Sequence, residues 1–277
     1  MKILIPVILS FLIIIGIGIY QFIYVSKNDF IMVFCDIGQG DSIYIRAFSQ
    51  DIIVDGGPDG TGTTDCLSRH MPLFDRNIEL MVVTHADSDH YAGFLDVLNS
   101  YTVSNFATSN GDSNVLGYHA LLNKLEKMNV GVRRLEQGDK IKITDSVAID
   151  VLWPPKEFTD IDDDRNNSSL VFLVDYKDFE VVLDGDLDKE YLNLIVNELN
   201  HIELFKLAHH GSKTSTDINT FESFRPDLSI ISAGRNNRFG HPHKEVVDLL
   251  NKYNLNYKST TGGDIVIKSD GNSYSVN

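Results

Sequence analysis

Cysteine is nearly missing from this sequence: Cys35 and Cys66 are the only two among 277 residues. That excludes a disulfide-rich scaffold and a thiolate metal site of the finger or ribbon kind. Cys35 lies inside an apolar run and reads as a packed core residue. Neither cysteine sits near another potential ligand in sequence. Basic residues are also short, with 24 Lys and Arg against 39 Asp and Glu and a formal charge of −15. So acidic a body excludes a general affinity for nucleic acid or anionic lipid. The deficit is uneven, however. From Lys206 to Lys244 six basic residues (Lys206, Lys213, Arg225, Arg235, Arg238, Lys244) meet three acids (Asp217, Glu222, Asp227). Such a rim suits an anionic substrate at one place on an acidic molecule.

Charge is absent altogether from Ile3 to Ser26, a run rich in Ile, Leu and Val. As a helix it would reach about 36 Å at 1.5 Å per residue, enough for a hydrocarbon core of about 30 Å. No small-x-small cleavage site follows it, so the run reads as an uncleaved membrane anchor rather than a signal peptide; a buried core helix is the plainer alternative. A short N-terminus held inside would place the rest of the chain outside the cell, anchored by a single pass. Residues 1–29 are then anchor and linker, and residues 30–277 one domain, with no linker that would divide it.

What is present is concentrated in Thr84-His85-Ala86-Asp87-Ser88-Asp89-His90-Tyr91-Ala92-Gly93. An apolar strand, Glu79 to Val83, precedes it, and Phe94 to Leu98 follows with helical spacing. Two imidazoles and two carboxylates on a loop between rigid elements suit Zn²⁺, Mn²⁺ or Fe. Four potential ligands in six residues exceed one tetrahedral ion that also binds water and substrate; alternate positions would feed two ions. The bland reading is a helix cap by Asp87 or Asp89 with surface histidines. A calcium loop fits less well, because the EF-hand's third oxygen ligand before the Gly and its closing Glu are missing.

Further polar clusters end other predicted strands: Asp55, Asp184-Gly185-Asp186, His209-His210 and His241. Turn, cap or surface roles would explain any one of them. Strand ends on one sheet edge converge, however. Asp186 could give one oxygen to each of two ions, and His210 could complete the second shell. His241, or His209 as the other member of the His pair, could protonate a leaving group. Ser212, Lys213, Arg235 and Arg238 could hold a phosphate. A Gly/Thr/Asp loop over 58–64 precedes a helix from Thr64 to Phe74. Helices are also expected over Asn114 to Met128, Leu187 to Leu199, Ile218 to Phe224 and Lys244 to Tyr253. Asp160, Asp162, Asp163 and Asp164 read as a solvated acidic loop. Meander strands followed by strand–helix alternation, in both halves, predict two mixed sheets face to face with helices outside.

Taken together, Phe34 to Ser42, Val54 to Gly57, His85 to Gly93, Asn166 to Val171, Leu183 to Asp186, Ala208 to Thr216 and Asn236 to His243 resemble the metallo-β-lactamase superfamily. Within it the pattern is similar to the ComEC type of competence-associated domain, in order and over nearly all of residues 30–270. The resemblance implies an α/β, four-layer αββα sandwich and a dinuclear centre. It places His85 and Asp87 on a first metal, Asp89 and His90 on a second, Asp186 as a bridge and His210 as the late histidine. The superfamily usually has histidine where this chain has Asp87, as the ComEC type has Asp too, and a further histidine between the halves, where Asn167 or a neighbour stands here. Oxygen-rich ligation makes Mn²⁺ a rival to Zn²⁺. The implied reaction is metal-assisted hydrolysis of a phosphodiester, with single-stranded DNA as a candidate substrate. Asp89, His209, His241 and Lys213 are the candidates for catalytic work. Full ComEC proteins also carry a multi-helix channel and a small barrel domain, and this chain has neither. Two further readings stay open: an esterase releasing phosphocholine from cell-surface polymers, and a binding or signalling module that kept the fold without catalysis.

Overall fold

Alternation sets the layers. In β1 (Phe30–Phe34) Phe30, Met32 and Phe34 join one buried cluster, while Ile31 and Val33 join another. A strand apolar on both faces must lie between two apolar layers. The structure, a computed structural model, describes residues 4–27, 30–110, 114–158, 164–195, 199 and 201–277, with backbone only at 4 and 21–27.

The first sheet adds β2 (Ile43–Ala47), β3 (Gln50–Val54), β4 (Asn77–Val83), β5 (Thr102–Ser109), β6 (Gly131–Leu135), β14 (Ile265–Ser269) and β15 (Tyr274–Val276), in the order β15-β14-β1-β2-β3-β4-β5-β6. The second comprises β7 (Lys140–Lys142), β8 (Ala148–Trp153), β9 (Val171–Tyr176), β10 (Phe179–Leu183), β11 (Leu204–Lys206), β12 (Leu228–Ile231) and β13 (Tyr257–Ser259), in the order β13-β12-β11-β10-β9-β8-β7. Each sheet is antiparallel at one side and parallel at the other: β3 to β6 run parallel, and so do β10 to β13.

One apolar cluster lies between the sheets. A second packs α2 (Gly60–His70), α4 (Phe94–Ser100) and α5 (Leu116–Lys127) on the outer face of the first sheet. A third packs α6 (Lys189–Ile195), α7 (Ile218–Phe224) and α8 (Lys244–Lys252) on the outer face of the second. The expected mixed sandwich with helices outside is therefore the architecture observed.

Several local expectations change. The helix expected from Thr64 begins at Gly60, because the Asp59 side chain accepts from Thr61 N and caps it. The loop expected to carry all four candidate ligands is partly helical: Asp89 and His90 lie in a one-turn helix, α3 (Ser88–Tyr91). The cysteines are not merely packed; Cys35 and Cys66 form a disulfide that ties the end of β1 to α2. Asp164 caps a short 3-10 turn through Asn166 N, while Asp160, Asp162 and Asp163 lie outside the described residues. The N-terminal run is helical as α1 (Leu4–Lys27). Its described side chains, Ile5 to Tyr20, cover about 24 Å at 1.5 Å per residue. Among the described residues no helix is long and apolar enough to cross a membrane.

Candidate metal centre

Parallel neighbours point their carboxyl ends the same way, and side chains just beyond those ends share one crevice. Asp55 follows β3, His85 to His90 follow β4, Asp184 to Asp186 follow β10, and His209 and His210 follow β11. Asp41 joins them at the end of the loop after β1. That loop presses on α3, where Asp41 N donates to Asp89 O at 3.2 Å. A Cβ on Gly40 would stand 2.2 Å from the same oxygen, so only glycine lets the two backbones lie so close. At the turn, His209 and His210 have φ values of 50° and 56°. Left-handed backbone is costly for a side chain with a Cβ, about 1–3 kcal/mol each, and tends to be kept where a site needs it. Here it sets the two rings 6.0 Å apart and nearly perpendicular.

The imidazoles are fixed from behind. His90 Nδ1 donates to Asp55 Oδ2 at 2.8 Å, and Asp55 in turn accepts from Thr84 N and Thr84 Oγ1, each at 2.8 Å. His210 Nδ1 donates to Ser232 O at 3.0 Å. His85 Nδ1 lies 3.0 Å from Thr84 Oγ1 and 3.2 Å from Ser169 Oγ. Each ring thus spends Nδ1 on the scaffold and turns Nε2 inward, the arrangement by which proteins orient metal-binding histidines. Inside, Asp186 Oδ2 stands 3.2 Å from His90 Nε2, 3.5 Å from His210 Nε2 and 3.9 Å from His209 Nε2. Asp89 Oδ2 is 3.6 Å from His210 Nε2.

These atoms fit a cation. His85 Nε2, His210 Nε2 and Asp186 Oδ1 are buried without a hydrogen-bond partner, a costly state for polar atoms with nothing to bind. The trios His85/His90/Asp186, Asp89/His90/His210 and Asp41/Asp186/His210 each offer three ligand atoms within 4.8 Å of one another. Electrostatics agree. Burial alone would push His90 and His210 down, but Asp186 outweighs it, with Asp55 on His90 and Asp41 on His210. His90 is held well above its ordinary value and His210 at about 9. Burial would likewise raise Asp186, yet His90 and His210 hold it well below the carboxylate range. The pocket thus favours positive charge, on His90 and His210 or on a cation. His85, by contrast, is pushed down to about 3 by burial and then by the His90 cation.

Not every expected residue reaches this centre. Asp87 faces outward to Arg165, whose Nε donates to Asp87 Oδ1 at 2.5 Å. Asn167, at the expected place of the middle histidine, is buried and accepts from Asp188 N at 3.4 Å through Oδ1. Ser169 is the residue of that segment that touches His85. His241 sits 5.4 Å from the His209 ring, centroid to centroid, with Gln39 Nε2 3.4 Å from its Nδ1. Burial, then the neighbouring His210 and His209 rings, lowers it to about 4. Arg235 and Arg238 line a cleft of about 550 Å³ together with Asp87 and Asp89. Ser212 is buried, and the Lys213 side chain is exposed outside that lining.

Two residues of the centre escaped the sequence reading. Asp41 reads as a turn residue, and Lys206 only as one more charge on the rim. Lys206 is fully buried, donates to Gly185 O at 2.9 Å and pairs with Asp41. Its signal was available: a lysine inside Leu204-Phe205-Lys206-Leu207-Ala208 shares the face of Leu204, which points between the sheets.

No protein-family profile matches the chain. The ComE operon protein 3 of Bacillus subtilis is 29% identical over 239 residues, covering 79% of this chain. Recombination protein 2 of Haemophilus influenzae is 28% identical over 228 residues, covering 81%, and competence protein ComA of Neisseria gonorrhoeae 25% over 234 residues, covering 83%. The chain has a metallo-β-lactamase fold and is similar in sequence to these competence and recombination proteins. It spans only about 30% of the length of these relatives (30%, 27% and 31%). Among solved structures, YhfI of Bacillus subtilis, described as a metallo-β-lactamase fold protein, superposes with a TM-score of 0.56 at 10% identity, covering 85% of this chain and 98% of its own. Zn²⁺-bound PqqB of Methylobacterium extorquens gives 0.56 at 9%, covering 87% and 100%. CmlA of Streptomyces venezuelae, a diiron β-hydroxylase, gives 0.59 at 12%, covering 87% and 54%. Since this fold serves a hydroxylase as well, the reaction of the ComEC-type chain has to be argued from its own site.

Proposed function

We propose that this ComEC-type chain is a metal-dependent phosphodiesterase acting on single-stranded DNA or a similar anionic polymer. One observation carries the reading: three inward-facing imidazoles and Asp186 converge on partnerless buried atoms beside a cleft edged by two arginines. His85, Asp89, His90, Asp186 and His210 would hold two divalent ions, with Zn²⁺ or Mn²⁺ suited to the mixed nitrogen and oxygen donors. Asp87 would join the first site on leaving Arg165. Once bound, such a pair supplies a nucleophilic water at neutral pH and draws charge from phosphoryl oxygens.

The chain's own groups do the rest. Asp55, Ser232 and the Thr84 and Ser169 hydroxyls keep the rings aimed. Arg235 and Arg238 attract the phosphate backbone despite the net negative charge. His209 faces Asp186 and is placed to protonate the leaving oxygen. His241, depressed to about 4, is neutral at pH 7 and suits a positioning role beside it. Lys213 is exposed outside the cleft lining and would contact only a longer substrate, while Ser212 is buried with its hydroxyl against Thr214 and has no such contact to offer.

The relatives' names, competence and recombination proteins, support DNA over other phosphodiesters. We also propose that α1 associates with the membrane and leaves the domain outside the cell. Its described apolar side chains, such as Ile5, Phe11 and Ile14, are exposed rather than packed.

The test is purification with Zn²⁺ or Mn²⁺ followed by metal analysis and turnover of bis-p-nitrophenyl phosphate, single-stranded DNA, RNA and choline phosphodiesters side by side. About two metals per chain and turnover lost in Asp186→Ala are expected. Turnover that survives Asp186→Ala refutes the centre as drawn.

A further inference from the structure

Phe239 is a large apolar side chain with 47% of its surface exposed, beside the charged centre. It lines the same cleft as Asp89, Arg235 and Arg238. Its backbone is cross-braced. The Asn237 amide nitrogen donates to Gly234 O at 2.9 Å and His241 O at 2.5 Å, and its oxygen accepts from Phe239 N at 3.2 Å and His241 N at 3.0 Å. A loop tied at four points fixes the backbone that carries the ring. The ring lies 5.8 Å from that of His241 and 19° from parallel, and Arg238 Cζ is 4.7 Å from its centroid.

A flat, exposed, pre-positioned ring next to phosphate-binding guanidiniums is the pairing that single-strand binders use, bases on aromatic faces and backbone on cations. A half-exposed aromatic ring would equally accept a quaternary ammonium. The cleft's two carboxylates are engaged, Asp87 by Arg165 and Asp89 beside His210, so the two guanidiniums disfavour such a cation. We infer that Phe239 is a base-stacking position: a nucleobase flanking the scissile phosphate lies against its ring, with Arg238 at the adjoining backbone. This rests on the phosphodiesterase reading and makes Phe239 a positioning residue for the polymer.

The test measures binding by fluorescence anisotropy, using the metal-loaded full chain and short phosphorothioate oligonucleotides that resist cleavage. One carries thymine bases and the other is abasic at the same length. Wild type is expected to prefer the base-bearing strand roughly tenfold, within the range of one stacked base. Phe239→Ala should bring that preference close to one, and Phe239→Trp should keep it. A preference unchanged in Phe239→Ala, equal losses on both strands, or no preference in wild type overturns the inference. Displacement of the oligonucleotide by phosphocholine from wild type, but not from Phe239→Ala, overturns it in favour of a cationic headgroup. Turnover of bis-p-nitrophenyl phosphate by wild type, read separately, decides the phosphodiesterase reading on its own.

Discussion

Lys206 Nζ pairs with Asp41 Oδ2 beneath the histidines, and both side chains are buried. Burial would lower the lysine, yet Asp41 and Asp186 hold it above its ordinary value. Lys206→Met leaves Asp41 buried beside Asp186 with no neighbouring ammonium. Removing one partner of a buried pair costs about 3–5 kcal/mol. Urea unfolding should report a loss of that order, and adding Asp41→Asn to Lys206→Met should recover part of it. A loss under about 1 kcal/mol, the range of exposed pairs, would mean that the ion pair does not hold the floor of the site.

Arg165 is expected to limit metal loading by occupying Asp87. Arg165→Ala frees that carboxylate, and affinity for the weaker of the two ions should rise about tenfold, opposite in sign to the loss seen when a supporting group is removed. Isothermal titration with Zn²⁺ or Mn²⁺ measures it. Identical titrations of Arg165→Ala and wild type would remove Asp87 from the ligand set.

His210 gives the metal-free protein a defined pH response. Its folded value of about 9 lies above the ordinary 6.5. The stabilisation, on the order of 3 kcal/mol, is therefore complete below pH 6.5 and lost as pH rises through 9. In chelator, Tm should fall across that window, and His210→Gln should flatten the fall. Metal binding displaces the same proton, so metal affinity should rise with pH over the same window. A Tm in chelator that climbs from pH 6.5 to 9 contradicts this assignment.

The Cys35–Cys66 bridge closes a loop with a sequence separation of 31. Replacing both cysteines with serine should cost about 2–4 kcal/mol. Because Cys35 lies just before the 36–41 loop, metal affinity should weaken as well. Thermal melts with and without reductant, checked by mass for the free thiols, decide it. A melting temperature indifferent to reductant would show that the bridge adds nothing to stability.

The pattern of local residues revealed much of this. The apolar run Leu204 to Ala208 reads as a strand, which Leu204–Lys206 forms, while Ala208 already belongs to the turn that follows. His85 to His90 reads as a metal sequence because six neighbouring residues carry four donors. Ile218 to Phe224 was legible as a helix at its observed bounds. What stayed hidden depends on distance along the chain. Asp87 and Arg165 are 78 positions apart, and no local rule says which acid a guanidinium will select. Cys35 is surrounded by apolar residues, so burial explained it fully until its partner was in view. The start of α2 was misplaced because Asp59 lay within a Gly/Thr/Asp stretch where any of several residues could have capped.

The two sheets supply different members of one cluster: Asp41, Asp55, His85, Asp89 and His90 from the first, and Asp186, Lys206 and His210 from the second. Neither sheet owns a working fragment. A cation at this seam would act as a rivet: whatever loosened the join between the sheets would unload the ion, and whatever stripped the ion would loosen the join.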